Sequence, residues 1–185
     1  MREEVSELIF VTAFTCGESL TSPGIGRAIA EKFLLRPNHT VIGSVRDATS
    51  SKNEDLKKLP TADGSRLLLV SIESTSHTDP RKAVQEIEAA GVAHVDIAIA
   101  NAGVCPPAAG PDTADVQDVI DAFNVNTVSP FLLYQALKPL LDKSSKPVWI
   151  TVSTIAASIG GLEANGAAIV SAYGISKAAV NFLTM

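Results

Sequence analysis

The sequence predicts an α/β protein built on a doubly wound parallel sheet, and three observations carry that prediction. Five short segments are apolar throughout rather than alternating, the pattern of strands buried on both faces. Apolar residues at helical spacing separate these segments, so strand and helix alternate along the chain. The glycines and polar residues that stand out chemically fall just after the strands, where open α/β sheets bind their ligands. A length of 185 residues suits one domain with a full core, and 46% hydrophobic with 19% charged residues is a globular composition.

Residues 8–12, Leu-Ile-Phe-Val-Thr, read as the first strand. A helix over 24–35 puts Ile25, Ile29 and Phe33 on one face and stops before Pro37. The second strand is 40–45, followed by a short polar helix over 53–59 that ends at Pro60. The third strand is 66–72. The next helix, over 79–90, buries Ala83, Val84 and Ile87 and ends at Gly91. The fourth strand, 95–100, runs into Asn101-Ala-Gly103 and then a proline-rich loop over 105–111. Helices are expected over 113–123 and 126–141, with Pro130 tolerable because it lies in a first turn. The fifth strand is 147–152, and a small-residue loop over 153–170 leads to a helix carrying Tyr173. With right-handed crossovers these elements make a Rossmann sheet.

The net charge of -5 argues against nucleic acid or an anionic membrane as the main partner. No apolar run approaches the roughly 20 residues that span a bilayer, and the acidic start does not read as a signal peptide, so cytoplasm is the expected location. Cys16 and Cys105 are too few for a disulfide framework. His39, His77 and His94 are scattered, so no metal site is expected.

Tyr173 and Lys177, in Tyr173-Gly-Ile-Ser-Lys177, are four residues apart. On a helix both leave the same face and can act on one ligand. A nearby ammonium favours the phenolate and makes the phenol a usable general acid. Taken with the apolar strand ending in Asn101-Ala-Gly103, this pair resembles the short-chain dehydrogenase/reductase family. Residues 36–42 and 171–177, and the spacing between the fifth strand and Tyr173, resemble the branch of sniffer-type carbonyl reductases and fungal norsolorinic acid-type ketoreductases.

The resemblance implies an NADP-dependent oxidoreductase that reduces a ketone or aldehyde, an aromatic polyketide ketone among the candidates. It implies an NAD(P)-binding domain over 1–185. Gly24, Ile25 and Gly26 would meet the cofactor pyrophosphate at the start of the first helix, although the family's glycine pattern directly follows the first strand. Here Ala13 follows Thr12, and a second register would put Gly17 at the middle glycine with Ala13 and Ser19 beside it. Residues 14–22 then read as an insertion, either a lengthened loop within an atypical 13–22 segment or an artefact of gene prediction. Arg46 suits a 2′-phosphate and so NADPH, with Asp47 as the residue that would serve NAD. Glu73 would contact adenine, while Asn101, Ala102 and Gly103 would flank the cofactor. For Asn101, holding neighbouring strands together is a second role.

The catalytic set implied is Asn126, a hydroxyl, Tyr173 and Lys177, with Asn124 as the alternative register for the first. Alignment on the fifth strand favours Thr154 as the hydroxyl and leaves Ser153 open. Tyr173 would protonate the alkoxide. Lys177 would lower the phenol pKa and hold the nicotinamide ribose, and Asn126 would position a water behind it. The family pattern continues beyond the Tyr173 helix with a sixth strand, a substrate-closing loop and a last strand, which are expected to be missing. The chain as given is therefore expected to be poorly soluble and inactive, and a homo-oligomer is expected only of a full-length form. A non-catalytic nucleotide-binding module and a truncated, non-functional product stand as alternatives to an active ketoreductase.

Overall fold

The computed structural model describes residues 7–12 and 24–184. Five parallel strands form one sheet: β1 (Glu7–Val11), β2 (His39–Val45), β3 (Arg66–Ser71), β4 (Ile97–Ala100) and β5 (Val148–Thr151), in the order β3-β2-β1-β4-β5. The chain reverses its direction of travel across the sheet between β1 and β4, which opens a crevice beyond their carboxyl ends. The helices are α1 (Ile25–Leu34), α2 (Glu54–Lys57), α3 (Asp79–Ala89), α4 (Val116–Phe123), α5 (Ser129–Leu141) and α6 (Ser171–Asn181). None of the helices among the described residues is long and apolar enough to cross a membrane.

Alternate residues of each strand feed two cores. Phe10, Ile42 and Val70 pack with Ala83 and Ile87 of α3 and Leu137 and Leu140 of α5. Ile9, Val11, Val41 and Val45 pack on the other side with Ala30 and Leu34 of α1 and Leu56 of α2. This two-sided burial is why the strand sequences lack polar alternation.

Four details differ from the expected elements. β4 starts at Ile97 because the preceding Asp96 turns its carboxylate back to accept the Leu8 N–H at 2.9 Å. α4 starts at Val116, not 113, because the Asp115 side chain caps it by accepting the Gln117 N–H at 2.8 Å. The two helices expected around residue 124 are one continuous rod, α4 passing into α5 through a π-helical segment, Asn124–Val128. An α-helix would pair the Asn126 carbonyl with the N–H of residue 130, and Pro130 has none. The 153–170 loop is also more ordered than its small residues suggest, with 3₁₀ turns at Ile155–Ala157, Ile159–Gly161 and Ala167–Ile169.

The fifth strand is covered on one face only, and there only in part. Trp149 meets Tyr134 of α5 edge-on, ring centroids 5.1 Å apart, whereas Val148 and Ile150 are 38% and 40% exposed.

Candidate active site

At the start of α1, Gly24 is the N-cap in extended conformation and, as a glycine, has no side chain to cap the helix, and the first turn carries no acid. A helix start of this kind suits an anion, because its first N–H groups have no partner within the helix. Gly26 is buried and Ile25 is exposed. Ala13, Cys16, Gly17, Ser19 and the expected insertion at 14–22 lie outside the described residues.

Arg46 directly follows β2, is 75% exposed and stands 3.8 Å from the Glu73 carboxylate at the neighbouring strand end. Asp47 is turned into its own loop. Its Oδ1 accepts both the Thr49 hydroxyl at 2.6 Å and the Thr49 N–H at 2.9 Å, bonds that hold this carboxyl below the usual carboxylate range. Of the two side chains, Arg46 is the one left to reach a ligand.

Between these strand ends and the Tyr-Lys pair lies the loop after β4. The Thr12 hydroxyl oxygen accepts the N–H groups of Asn101 at 2.9 Å and Ala102 at 3.0 Å, and the Asn101 amide donates to the Thr12 carbonyl at 3.2 Å. Asn101 therefore ties the carboxyl ends of β1 and β4 together. Gly103 has a steric reason to be glycine, since a Cβ there would lie 3.0 Å from Asn126 Oδ1 and 3.3 Å from Lys177 Nζ.

Asn126 lies fully buried in the π segment. Its Oδ1 accepts the Val104 N–H and its Nδ2 donates to the Val104 carbonyl, both at 2.8 Å, and Nδ2 also donates to Ser176 Oγ at 2.9 Å. Tyr173 and Lys177 share one face of α6, the ammonium 6.0 Å from the ring centroid. Lys177 is only 4% exposed, and its Nζ donates to the Val152 carbonyl at 2.8 Å. Burial pulls the Lys177 pKa down. The Tyr173 phenol is pushed up, first by burial and then by Cys105 nearby. The depression expected from Lys177 is not seen: the ammonium bonds the Val152 carbonyl, and the phenol is shifted by burial and Cys105.

The two hydroxyl candidates part company. Ser153 is exposed and donates to Asn181 Oδ1 at 2.6 Å, at the far end of α6. Thr154 stands in the chain between Val152, which Lys177 bonds, and Ala156, whose carbonyl lies against Gly174. Its Oγ1 accepts the Ala156 N–H at 3.3 Å, which leaves its own O–H to donate. Sequence reasoning missed Thr12, Thr127 and Ser176 as site-forming residues. A polar residue three places after Tyr173, between catalytic candidates on the same helix, was the available signal for Ser176. Among the described residues no group of three or more His, Cys, Asp and Glu could hold a metal ion.

A parallel sheet of this order, with a glycine-led helix after its first strand and a Tyr-Lys pair beyond its fifth, defines a Rossmann-type protein with a clustered site at its carboxyl edge. The chain belongs to the short chain dehydrogenase family, whose model matches residues 20–185. It is 51% identical over 162 residues to the short-chain dehydrogenase srdF of Neurospora crassa, covering 87% of this chain and 64% of that protein. It is 34% identical over 165 residues to the norsolorinic acid ketoreductase nor1 of Dothistroma septosporum, covering 88% and 61%. The chain thus spans a little under two thirds of these curated relatives. Among solved structures it resembles the NADPH-bound carbonyl reductase from chicken fatty liver, with a TM-score of 0.80, 27% identity and coverage of 96% and 68%. The carbonyl reductase Sniffer of Drosophila melanogaster gives 0.78, 25% identity and coverage of 97% and 72%.

Proposed function

We propose that this chain is a single NAD(P)-binding domain carrying the cofactor site and the catalytic pair of an NADPH-dependent ketoreductase. The observation that carries this reading is the Tyr173-Lys177 pair on one face of α6, with Lys177 buried against Gly103. The site suits a dinucleotide phosphate: a helix start with glycines, and an exposed guanidinium one strand away. Gly24, Ile25 and Gly26 take the pyrophosphate, Arg46 the 2′-phosphate and Glu73 the adenine. Asn101, Ala102 and Gly103 line the cofactor, and Lys177 holds its ribose.

When bound, the nicotinamide supplies a hydride to the carbonyl carbon. Tyr173 gives its proton to the carbonyl oxygen, and the burial that raises its pKa keeps it protonated through neutral pH. Thr154 donates a hydrogen bond to the same oxygen, a role for which Ser153 is less suited while bonded to Asn181. Asn126, whose backbone carbonyl Pro130 cannot serve, holds a water behind Lys177. The substrate is a ketone or aldehyde, and the ketoreductases among the relatives support an aromatic polyketide ketone. We assign the protein to the cytoplasm and expect a homo-oligomer in any longer form.

Two measurements test this. Fluorescence titration of the chain should give NADPH about tenfold tighter binding than NADH, with the preference lost in Arg46→Ala. Turnover is followed as NADPH oxidation in a hybrid in which this chain replaces the matching segment of the Neurospora relative. There Tyr173→Phe should lower kcat by about 10²–10⁴-fold with cofactor binding intact. Near-normal turnover in Tyr173→Phe would overturn the mechanism.

A further inference from the structure

Ser176 lies inside the Tyr-Lys stretch, is fully buried and touches both halves of the site. Its hydroxyl donates to the Tyr173 carbonyl at 2.8 Å and accepts from Asn126 Nδ2 at 2.9 Å. Its backbone carbonyl accepts the Thr127 hydroxyl at 2.7 Å, so two consecutive residues of the π segment grip this one residue of α6. Asn126 in turn holds Val104 through both ends of its amide. One unbroken chain of hydrogen bonds therefore runs from the loop after β4, through the π segment, to the backbone of Tyr173.

The proton positions in this chain leave no freedom. Asn126 Nδ2 has two hydrogens, and the Val104 carbonyl and Ser176 Oγ take one each. Ser176 Oγ, having accepted, sends its single proton to Tyr173 O. Reversing either end would face donor with donor or acceptor with acceptor. The arrangement is directional and buried, and buried networks that are fully satisfied fix geometry. Lys177 is the next residue along, and its Nζ approaches the same Asn126-Gly103 corner that the network pins.

We propose that Ser176 is a positioning residue, which locks α6 to the π segment and so sets where Tyr173 and Lys177 stand relative to the loop after β4. The proposal rests on the ketoreductase reading, since positioning has meaning only for a working pair. A helix free to slide or turn by a fraction of an ångström would still fold. It would carry the phenol and the ammonium off the geometry that hydride transfer needs.

The test compares Ser176→Ala and Ser176→Cys with wild type. Cysteine fills the site with a somewhat larger atom and offers only a weak donor, whereas alanine removes both atom and donor, so the pair separates packing from hydrogen bonding. In the chain itself, Ser176→Ala should weaken NADPH binding about threefold to tenfold, through misplaced Lys177. In the hybrid with the Neurospora relative, kcat should fall at least about tenfold while KM for the ketone stays within about twofold, with Ser176→Cys between Ala and wild type. If Ser176→Ala does not fold, the cysteine variant carries the comparison. A drop in Tm with wild-type NADPH affinity and wild-type kcat per folded molecule would mean a purely structural role and overturn the proposal. If Tyr173→Phe abolishes turnover while both Ser176 variants keep it, the ketoreductase reading stands and the positioning role falls. A wild-type chain that binds no NADPH, with a wild-type hybrid that turns nothing over, would overturn both.

Discussion

Lys177 shows how a functional charge weighs on stability at the scale of one residue. It is nearly buried, its hydrogen bond goes to a neutral carbonyl, and among the described residues no carboxylate stands within ion-pair distance of it. Burial lowers its pKa below the ordinary 10.5 of lysine. In the window between the folded and unfolded values the unfolded chain holds the proton more tightly. Stability therefore rises with pH across that window, and below it the full penalty of the buried ammonium is present. Lys177→Met keeps the stem and removes the charge. It should raise Tm by about 2–4 °C at neutral pH, the effect of roughly 1 kcal/mol in a chain of this size, and bind NADPH more weakly. The gain should shrink as pH is raised toward the lysine range. Thermal melts across pH check it, and a lower Tm at neutral pH would contradict it. The pairing of Tyr173 with Lys177 was legible in the sequence because helical spacing alone dictates a shared face. The direction of the Tyr173 shift was not, since it depends on burial and on Cys105, far away along the chain.

At the scale of elements, the strands and long helices were legible because burial on two faces leaves an unmistakable apolar pattern. The π segment was not, because Asn124–Val128 is set by a missing N–H at Pro130 and by ties to Val104 and Ser176. Propensity carries no trace of those ties, and Pro130 on its own reads as the first turn of a new helix. Asp96 was likewise invisible as a structural joint. Its Oδ2 accepts the Leu8 N–H at 2.9 Å and lies 3.2 Å from His94 Nε2, while its Oδ1 accepts the Ser144 hydroxyl at 2.6 Å. Its backbone carbonyl also accepts the Val148 N–H at 2.7 Å, so one residue joins the starts of β1, β4 and β5. This joint sits at the amino edge of the sheet, opposite the site. Asp96→Ala leaves the Leu8 N–H unpaired and should destabilise the fold by about 1–3 kcal/mol. NADPH affinity of the folded protein should stay as in wild type. Urea unfolding and cofactor titration, run in parallel, separate the two. Weaker NADPH binding at unchanged stability would show that the amino edge reaches the site.

For the whole molecule, the two edges of the sheet are unequal. β5 pairs with β4 so that Val148 neighbours Ile97 and Ile150 neighbours Ile99. Ile97 and Ile99 share the core with α1, so Val148 and Ile150 belong to that same face. At β5, however, that face is exposed. Phe131 and Phe182 add exposed aromatic surface, lining with Phe123 and Leu183 a shared groove over α4, α5 and α6. Among the described residues β5 has no strand on its outer side, and apolar side chains beside such a strand edge are a template for another chain. We therefore expect the 185-residue chain to self-associate in a concentration-dependent way. A single charge in the middle of the edge should weaken that association, because pairing would then require desolvating an ammonium. Ile150→Lys is the appropriate change. Its side chain is already partly in solvent, so the long stem can cover Ile99 while the charged end stays wet. Gel filtration with light scattering should show wild type shifting to larger species over about a tenfold rise in concentration, and Ile150→Lys remaining monomeric. Cofactor binding serves as the control for fold, and NADPH affinity of the variant should stay within about twofold of wild type. A wild-type chain that is monomeric at every concentration would refute the edge argument. Association that Ile150→Lys leaves unchanged would move the contact from β5 to the aromatic groove.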